Sequence, residues 1–218
     1  MQPHVTKPVL ITFTSPTCSG KSYLLSYIRD VAKLPCFVST TTRPQRRGEV
    51  DGVDYFFITD ERSKEIEAAD GFAELMTFRG FRYGVTKEEF KKKLDMGMAF
   101  LVVEPEGIHH YAKPALDVGA LWIKYFVDVP QEVRIKRFKD RFIKDAIDCV
   151  EPISLSKVID NYLNRFQSML GPETRWKAMH EWDDILDGEL DPEKNLDRIN
   201  TDVAKVRIHD AIYGPQTG

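Results

Sequence analysis

An apolar run, Val9-Leu10-Ile11-Thr12-Phe13, passes into Ser15-Pro16-Thr17-Cys18-Ser19-Gly20-Lys21-Ser22 and then into the helical pattern Tyr23-Leu24-Leu25-Ser26-Tyr27-Ile28. A short apolar run closed by a turn reads as a strand buried on both faces, which calls for helices on either side of a parallel sheet. The turn itself ends in a glycine, a cation and a hydroxyl. At such a strand-to-helix turn, backbone N–H groups wrap phosphate oxygens, the lysine neutralises their charge and the serine can hold Mg²⁺. The spacing therefore predicts a nucleotide triphosphate among Ser15, Thr17, Cys18, Ser19, Gly20, Lys21, Ser22 and Tyr23, with Lys21 as its catalytic cation and Ser22 as the metal ligand. The turn departs from G-x-x-x-x-G-K-[ST] at Ser15, and Cys18 adds a second side chain. If position 15 keeps a positive φ, the serine costs about 1 kcal/mol or more.

Further strand-like runs fall at about 36–39, 100–103, 122–127 and 184–186, with helical patterns between most of them, including 21–33 and 131–141. That alternation predicts an α/β fold with a parallel sheet flanked by helices. Its core takes about 8–39, 96–139 and 166–213, in one domain of 218 residues. The segment 40–95 reads as an insertion, with an aromatic strand at 55–59, a charged helix near 60–69 and an apolar run at 78–85. The charge-rich segment 140–165 reads as a mobile lid, and the last five residues as a frayed tail. Met96, Met98, Phe100 and Leu101 read as core entering a strand, and Phe166, Met169 and Leu170 as the apolar face of a helix.

Composition narrows the setting. With 42% apolar and 30% charged residues and no apolar run of membrane-spanning length, no membrane association is expected. A net charge of −3 gives a nucleic-acid polymer no global attraction, so any phosphate site must be local. Cys18, Cys36 and Cys149 have no metal-ligand spacing and cannot all pair, and the N-terminus lacks a cleavage-like end. Both features suit a cytoplasmic protein with bystander thiols. His109-His110, Trp122, Trp176 and Trp182 are expected in packing or surface roles.

The run from Ser39 to Phe57, Ser-Thr-Thr-Thr-Arg-Pro-Gln-Arg-Arg-Gly-Glu-Val-Asp-Gly-Val-Asp-Tyr-Phe-Phe, resembles the nucleoside-monophosphate-binding signature of guanylate kinases. With Phe72-Ala73-Glu74 and Tyr83-Gly84, the resemblance covers about 8–107 and continues more weakly toward the C-terminus. It implies a P-loop kinase core, a monophosphate-binding insertion and a lid. It also implies ATP and Mg²⁺, nucleotide substrates, and a monomer or homodimer. Chemistry supports an acceptor site here independently, because a phosphate acceptor needs cations facing the phosphate loop. Arg43 and Arg46 supply bidentate guanidiniums, and Tyr55 and Tyr83 supply neutral hydroxyls. By resemblance these four grip the monophosphate, with Arg43 among the catalytic residues.

The same resemblance places Glu74 against guanine N1–H and the 2-amino group, which suits an acceptor-only carboxylate. Without it, Glu74 is an ordinary helix-end or strand-edge acid and Ser39 a cap or turn residue. Val85 stands where the family usually has a serine donating to the guanine 6-oxo group, and Ser39 or a neighbour would have to compensate. A relaxed 6-position leaves open a modified purine deoxynucleotide such as 2,6-diaminopurine. In Val102-Val103-Glu104-Pro105-Glu106-Gly107 the family's first acid falls on Val102, so Glu104 alone remains to meet the base or metal-bound water, or Glu104 and Glu106 are surface acids. Arg137, Arg141 and Arg165 fall where the family brings lid arginines onto the phosphates, whereas Arg134 is expected on a solvated helix face. A different class of reading keeps the pocket but not the catalysis, as a module holding a phosphopeptide or another protein.

Overall fold

The computed structural model describes residues 6–46, 48–78, 80–147 and 152–214. The expectations for Cys149 and for the extreme termini lie outside those residues. Strand β1 (Val9–Thr14) is buried at every position. The chain then turns into α1 (Lys21–Ser26), continues as a π-helical turn over Tyr27–Val31, and leaves the helical path at Lys33, whose φ is 56°. Pro35 follows, which cannot rejoin the helix.

Three more core strands are β6 (Met98–Val102), β7 (Leu121–Asp128) and β8 (Asp184–Asp187). They lie in the order β6-β1-β7-β8, all parallel, with Val9 opposite both Met98 and Leu121. Strand alternation sorts β1 between two layers. Val9, Ile11 and Phe13 pack with Leu24, Ile28, Ile199 and Val203, while Leu10 packs on the other side with Phe90, Leu94, Ile108 and Tyr111. The first group meets α1 and the long C-terminal helix α7 (Pro192–Tyr213); the second meets α3 (Lys87–Leu94) and a 3₁₀ segment, Pro105–Tyr111. A short helix, α4 (Ala112–Asp117), leads from that segment into β7.

The expected strand at 36–39 does not form. Cys36 makes a lone parallel bridge to Phe100, and the Val38 N–H donates to the Glu89 carboxylate at 3.1 Å instead of to a ladder. Met96, expected to enter the core, is 64% exposed.

A second, mixed sheet runs β3-β2-β5-β4, from β2 (Thr40–Thr41), β3 (Phe56–Phe57), β4 (Phe72–Phe78) and β5 (Phe81–Thr86). Helix α2 (Asp60–Ala68) starts at Thr59, whose hydroxyl accepts from the Arg62 N–H. Beyond β7, α5 (Gln131–Ile147) and α6 (Pro152–Leu170) pack through Phe138, Tyr162 and Met169, with Cys18 of the turn after β1 against the same cluster. No described helix is long and apolar enough to cross a membrane.

Candidate active site

The turn after β1 borders a cavity of about 540 Å³. Its walls are residues 15–23, Glu104, Arg137, Arg141, Arg165, Trp176 and Gly188. All the triphosphate-site residues expected from the turn therefore meet in one space, as do the three arginines of α5 and α6.

Backbone strain sits elsewhere than expected. Ser15 is buried with an ordinary φ, its hydroxyl bonded to the Pro16 carbonyl at 3.2 Å, while Cys18 takes φ 65° and Gly20 φ 95°. The left-handed cysteine costs about 1–3 kcal/mol. Its contact with the Phe138–Tyr162–Met169 cluster offsets part of that, and burial pushes its thiol up despite the guanidiniums of Arg165 and Arg141. Gly188, after β8, lies against the turn so closely that a Cβ there would be 1.8 Å from the Ser19 carbonyl oxygen. Arg137 stitches the two together, donating to the carbonyls of Cys18 at 3.3 Å and Gly188 at 3.2 Å.

Arg134 corrects the sequence reading. It is 5% exposed, and its guanidinium donates to Glu173 at 2.7 Å and to the Thr17 carbonyl at 3.0 Å. Glu173, equally buried, also accepts from the Thr17 N–H at 2.6 Å, the Thr17 hydroxyl at 2.7 Å and the Ser168 hydroxyl at 3.0 Å. Helix α5 hides Arg134 because the 3₁₀ segment Pro172–Ala178 brings its counter-charge alongside. No local motif announces Glu173 in sequence; only the chain's return past α6 reveals it. Trp176, expected in a packing or surface role, lines the cavity from the same segment, its indole N–H buried without a partner among the described residues.

Lys21 reaches toward Glu104, 3.8 Å away, at the start of the Pro105–Tyr111 segment. Ser22 is exposed to the cavity. Among the described residues no carboxylate pairs with Arg141 or Arg165. Burial, then the Arg141 guanidinium, pulls Arg165 below the usual arginine range, and Arg46 adds to the same effect.

On the second sheet, Arg43 is 7% exposed and forks onto Glu49 at 2.8 and 3.1 Å, below the faces of Tyr55 (5.4 Å) and Phe57 (5.7 Å). Glu49 also accepts from the Arg46 N–H at 2.7 Å. The Tyr55 and Tyr83 rings meet edge to face, 6.1 Å between centres. Ser39 is half-buried, its carbonyl taking the Phe56 N–H. Val85 is fully buried, opposite Glu74 across the β4–β5 ladder, and packs with Phe37 and Phe90.

Glu74 is 7% exposed, and the Tyr111 hydroxyl donates to its Oε2 at 2.8 Å. Burial pushes its carboxyl up to about 7, against the opposing pull of Tyr111. Between the unfolded value near 4.5 and about 7, the folded protein holds a proton that the unfolded chain has released. Stability from this group therefore falls as pH rises through that window. Glu74→Gln is expected to match the wild type near pH 4 and exceed it near pH 8 by on the order of 3 kcal/mol, read from urea unfolding at the two pH values. Equal stability at both would show the carboxyl is not held protonated.

A Gly-Lys-Ser turn between a buried parallel strand and α1, on an α/β core that carries a second, mixed sheet, sets the class as a P-loop fold. The family model for guanylate kinase matches residues 6–150, and the chain belongs to that family. It is 30% identical over 133 residues to a guanylate kinase of Chlamydia muridarum, covering 60% of this chain and 62% of that protein. A Leifsonia xyli guanylate kinase is 27% identical over 180 residues, covering 81% and 70%. For one from Streptococcus pyogenes the figures are 39% over 102 residues, and the match spans about half of that protein, 48%. The crystal structure of guanylate kinase from Anaplasma phagocytophilum shares the fold, with a TM-score of 0.61 at 18% identity over 97% of this chain and 98% of the other.

Proposed function

We propose that this protein is an ATP-dependent nucleoside monophosphate kinase that converts a purine monophosphate, GMP or dGMP, to its diphosphate. The observation that carries the reading is the cavity on the turn after β1, where Lys21, Arg141 and Arg165 meet; Arg43 and Arg46, on the loop between β2 and β3, supply the second cation group that the reading requires. Lys21 and the amides of the turn hold the donor's phosphates. Arg43, Arg46, Tyr55 and Tyr83 aim the acceptor. The Glu49 carboxylate already occupies Arg43's fork as a planar oxyanion pair, the geometry a phosphate would take in exchange.

The acceptor's phosphate oxygen is anionic at neutral pH, so no general base is needed. That oxygen forms a bond to the terminal phosphorus of ATP while the bond to the bridging oxygen breaks, and ADP leaves with the electron pair. Charge spreads over the equatorial oxygens, where Arg141 and Arg165 stabilise it. Among the described residues no three acidic, histidine or cysteine side chains cluster as a metal cage. The Ser22 hydroxyl, exposed to the cavity beside Lys21, would hold Mg²⁺. When bound it neutralises phosphate charge.

The test is ADP release measured with GMP, dGMP, dAMP, dTMP and the 2,6-diaminopurine deoxynucleotide. The expected outcome is highest kcat/KM for GMP or dGMP. Preference for the diaminopurine nucleotide would move the substrate to a modified base, and binding without turnover of any would replace the kinase with a binding module.

A further inference from the structure

A carboxylate that is 7% exposed, with a neutral hydroxyl as its hydrogen-bond donor and no cation at ion-pair distance among the described residues, is an expensive group to bury unless a ligand donates to it. Glu74 is that group, and its partner is rigid. Tyr111 is 4% exposed, ends the Pro105–Tyr111 segment, and stacks on Phe90 at 6.3 Å between ring centres. The backbones of β4 and β5 are close beside it, since a Cβ at Gly84 would lie 2.4 Å from the Glu74 carbonyl oxygen. Val85, opposite, offers no polar alternative, and Val102 at the end of β6 carries no second acid.

We propose that Tyr111 is a positioning residue that sets base selectivity: its hydroxyl already donates to Oε2 of Glu74, so a second donor at that oxygen, the purine 2-amino group, binds more weakly and the acceptor site accepts purine monophosphates without one. The proposal rests on the kinase reading and on Glu74 as its base-contacting residue. A carboxylate free at both oxygens takes the ring N1–H and the 2-amino group of guanine together. With Oε2 already accepting the Tyr111 hydroxyl, a bond from the amino group to that oxygen is weakened, while the ring N–H of hypoxanthine, which has no amino group, keeps Oε1 as its partner. A site built to pair both donors rejects the analogue lacking one by about 10⁴-fold or more, whereas one weakened neutral hydrogen bond is worth about tenfold at most.

The experiment measures kcat/KM for GMP and inosine monophosphate with the wild type and with Tyr111→Phe, which keeps the ring and frees Oε2. Expected are a wild-type preference for GMP of less than about tenfold and a rise of about fivefold or more in the variant. A wild-type preference above tenfold, or a ratio unmoved by the substitution in a folded variant, overturns the proposal while leaving the kinase reading intact. Should the variant fail to fold, the wild-type ratio decides alone. Turnover of neither nucleotide by the wild type overturns the kinase reading, and this proposal with it.

Discussion

Replacing Lys21 with alanine is expected to lower kcat by about 10²–10³-fold while leaving the unfolding free energy within about 0.5 kcal/mol of the wild type. The asymmetry follows from what Lys21 touches. Its ammonium has one carboxylate nearby, Glu104, at 3.8 Å and 40% exposed, so little folded-state energy is lost with it. On the proposed reading the transition state, by contrast, loses a cation set at the start of α1 beside the donor's phosphates. Initial rates at saturating nucleotide, with urea unfolding of the same preparations, read both quantities. Near-normal turnover in the variant would remove the turn after β1 from the reaction.

The second large effect is structural first and functional second. Glu173→Ala is expected to destabilise the fold by about 3–5 kcal/mol, because it strands the Arg134 guanidinium in a buried setting and removes the acceptor for the Thr17 N–H and hydroxyl. Glu173→Gln keeps an acceptor oxygen and is expected to cost less than half as much. Both are expected to raise the KM for ATP, since Thr17 belongs to the turn proposed to wrap the phosphates and Glu173 anchors it. Chemical denaturation and ATP titration of the two variants separate the outcomes. A Glu173→Ala protein as stable as the wild type would mean that the ion pair's attraction only balances its desolvation.

The elements legible in sequence are those with a local cause. The six buried residues of β1 announced a parallel strand, and the parallel β6, β7 and β8 followed the same apolar signal. Gly20-Lys21-Ser22 marked the turn into α1, and Arg137 and Arg141, one turn apart on α5, line the same cavity. The segment at 36–39 misled because its apolar residues suit a strand, yet a side chain 51 residues distant, Glu89, takes the backbone donor of Val38. Arg134 misled in the opposite sense, since a charged residue on a charged helix reads as solvated until its counter-ion is placed. Cys18 rather than Ser15 bears the left-handed backbone because the chain's path over Ser19 and Gly188 decides which residue must turn.

Local chemistry along the chain was enough to specify a buried parallel sheet, a Gly-Lys-Ser turn into α1 and a basic loop resembling a monophosphate site, because backbone geometry and residue type act over a few positions. Tertiary structure alone decided the rest: Glu173 locked onto Thr17, Gly188 pressed on Ser19, and Tyr111 bonded to Glu74. Those contacts join residues 37 to 169 positions apart, and burial gives them their strength; a pattern of neighbours in sequence carries no record of which charge will be desolvated beside which.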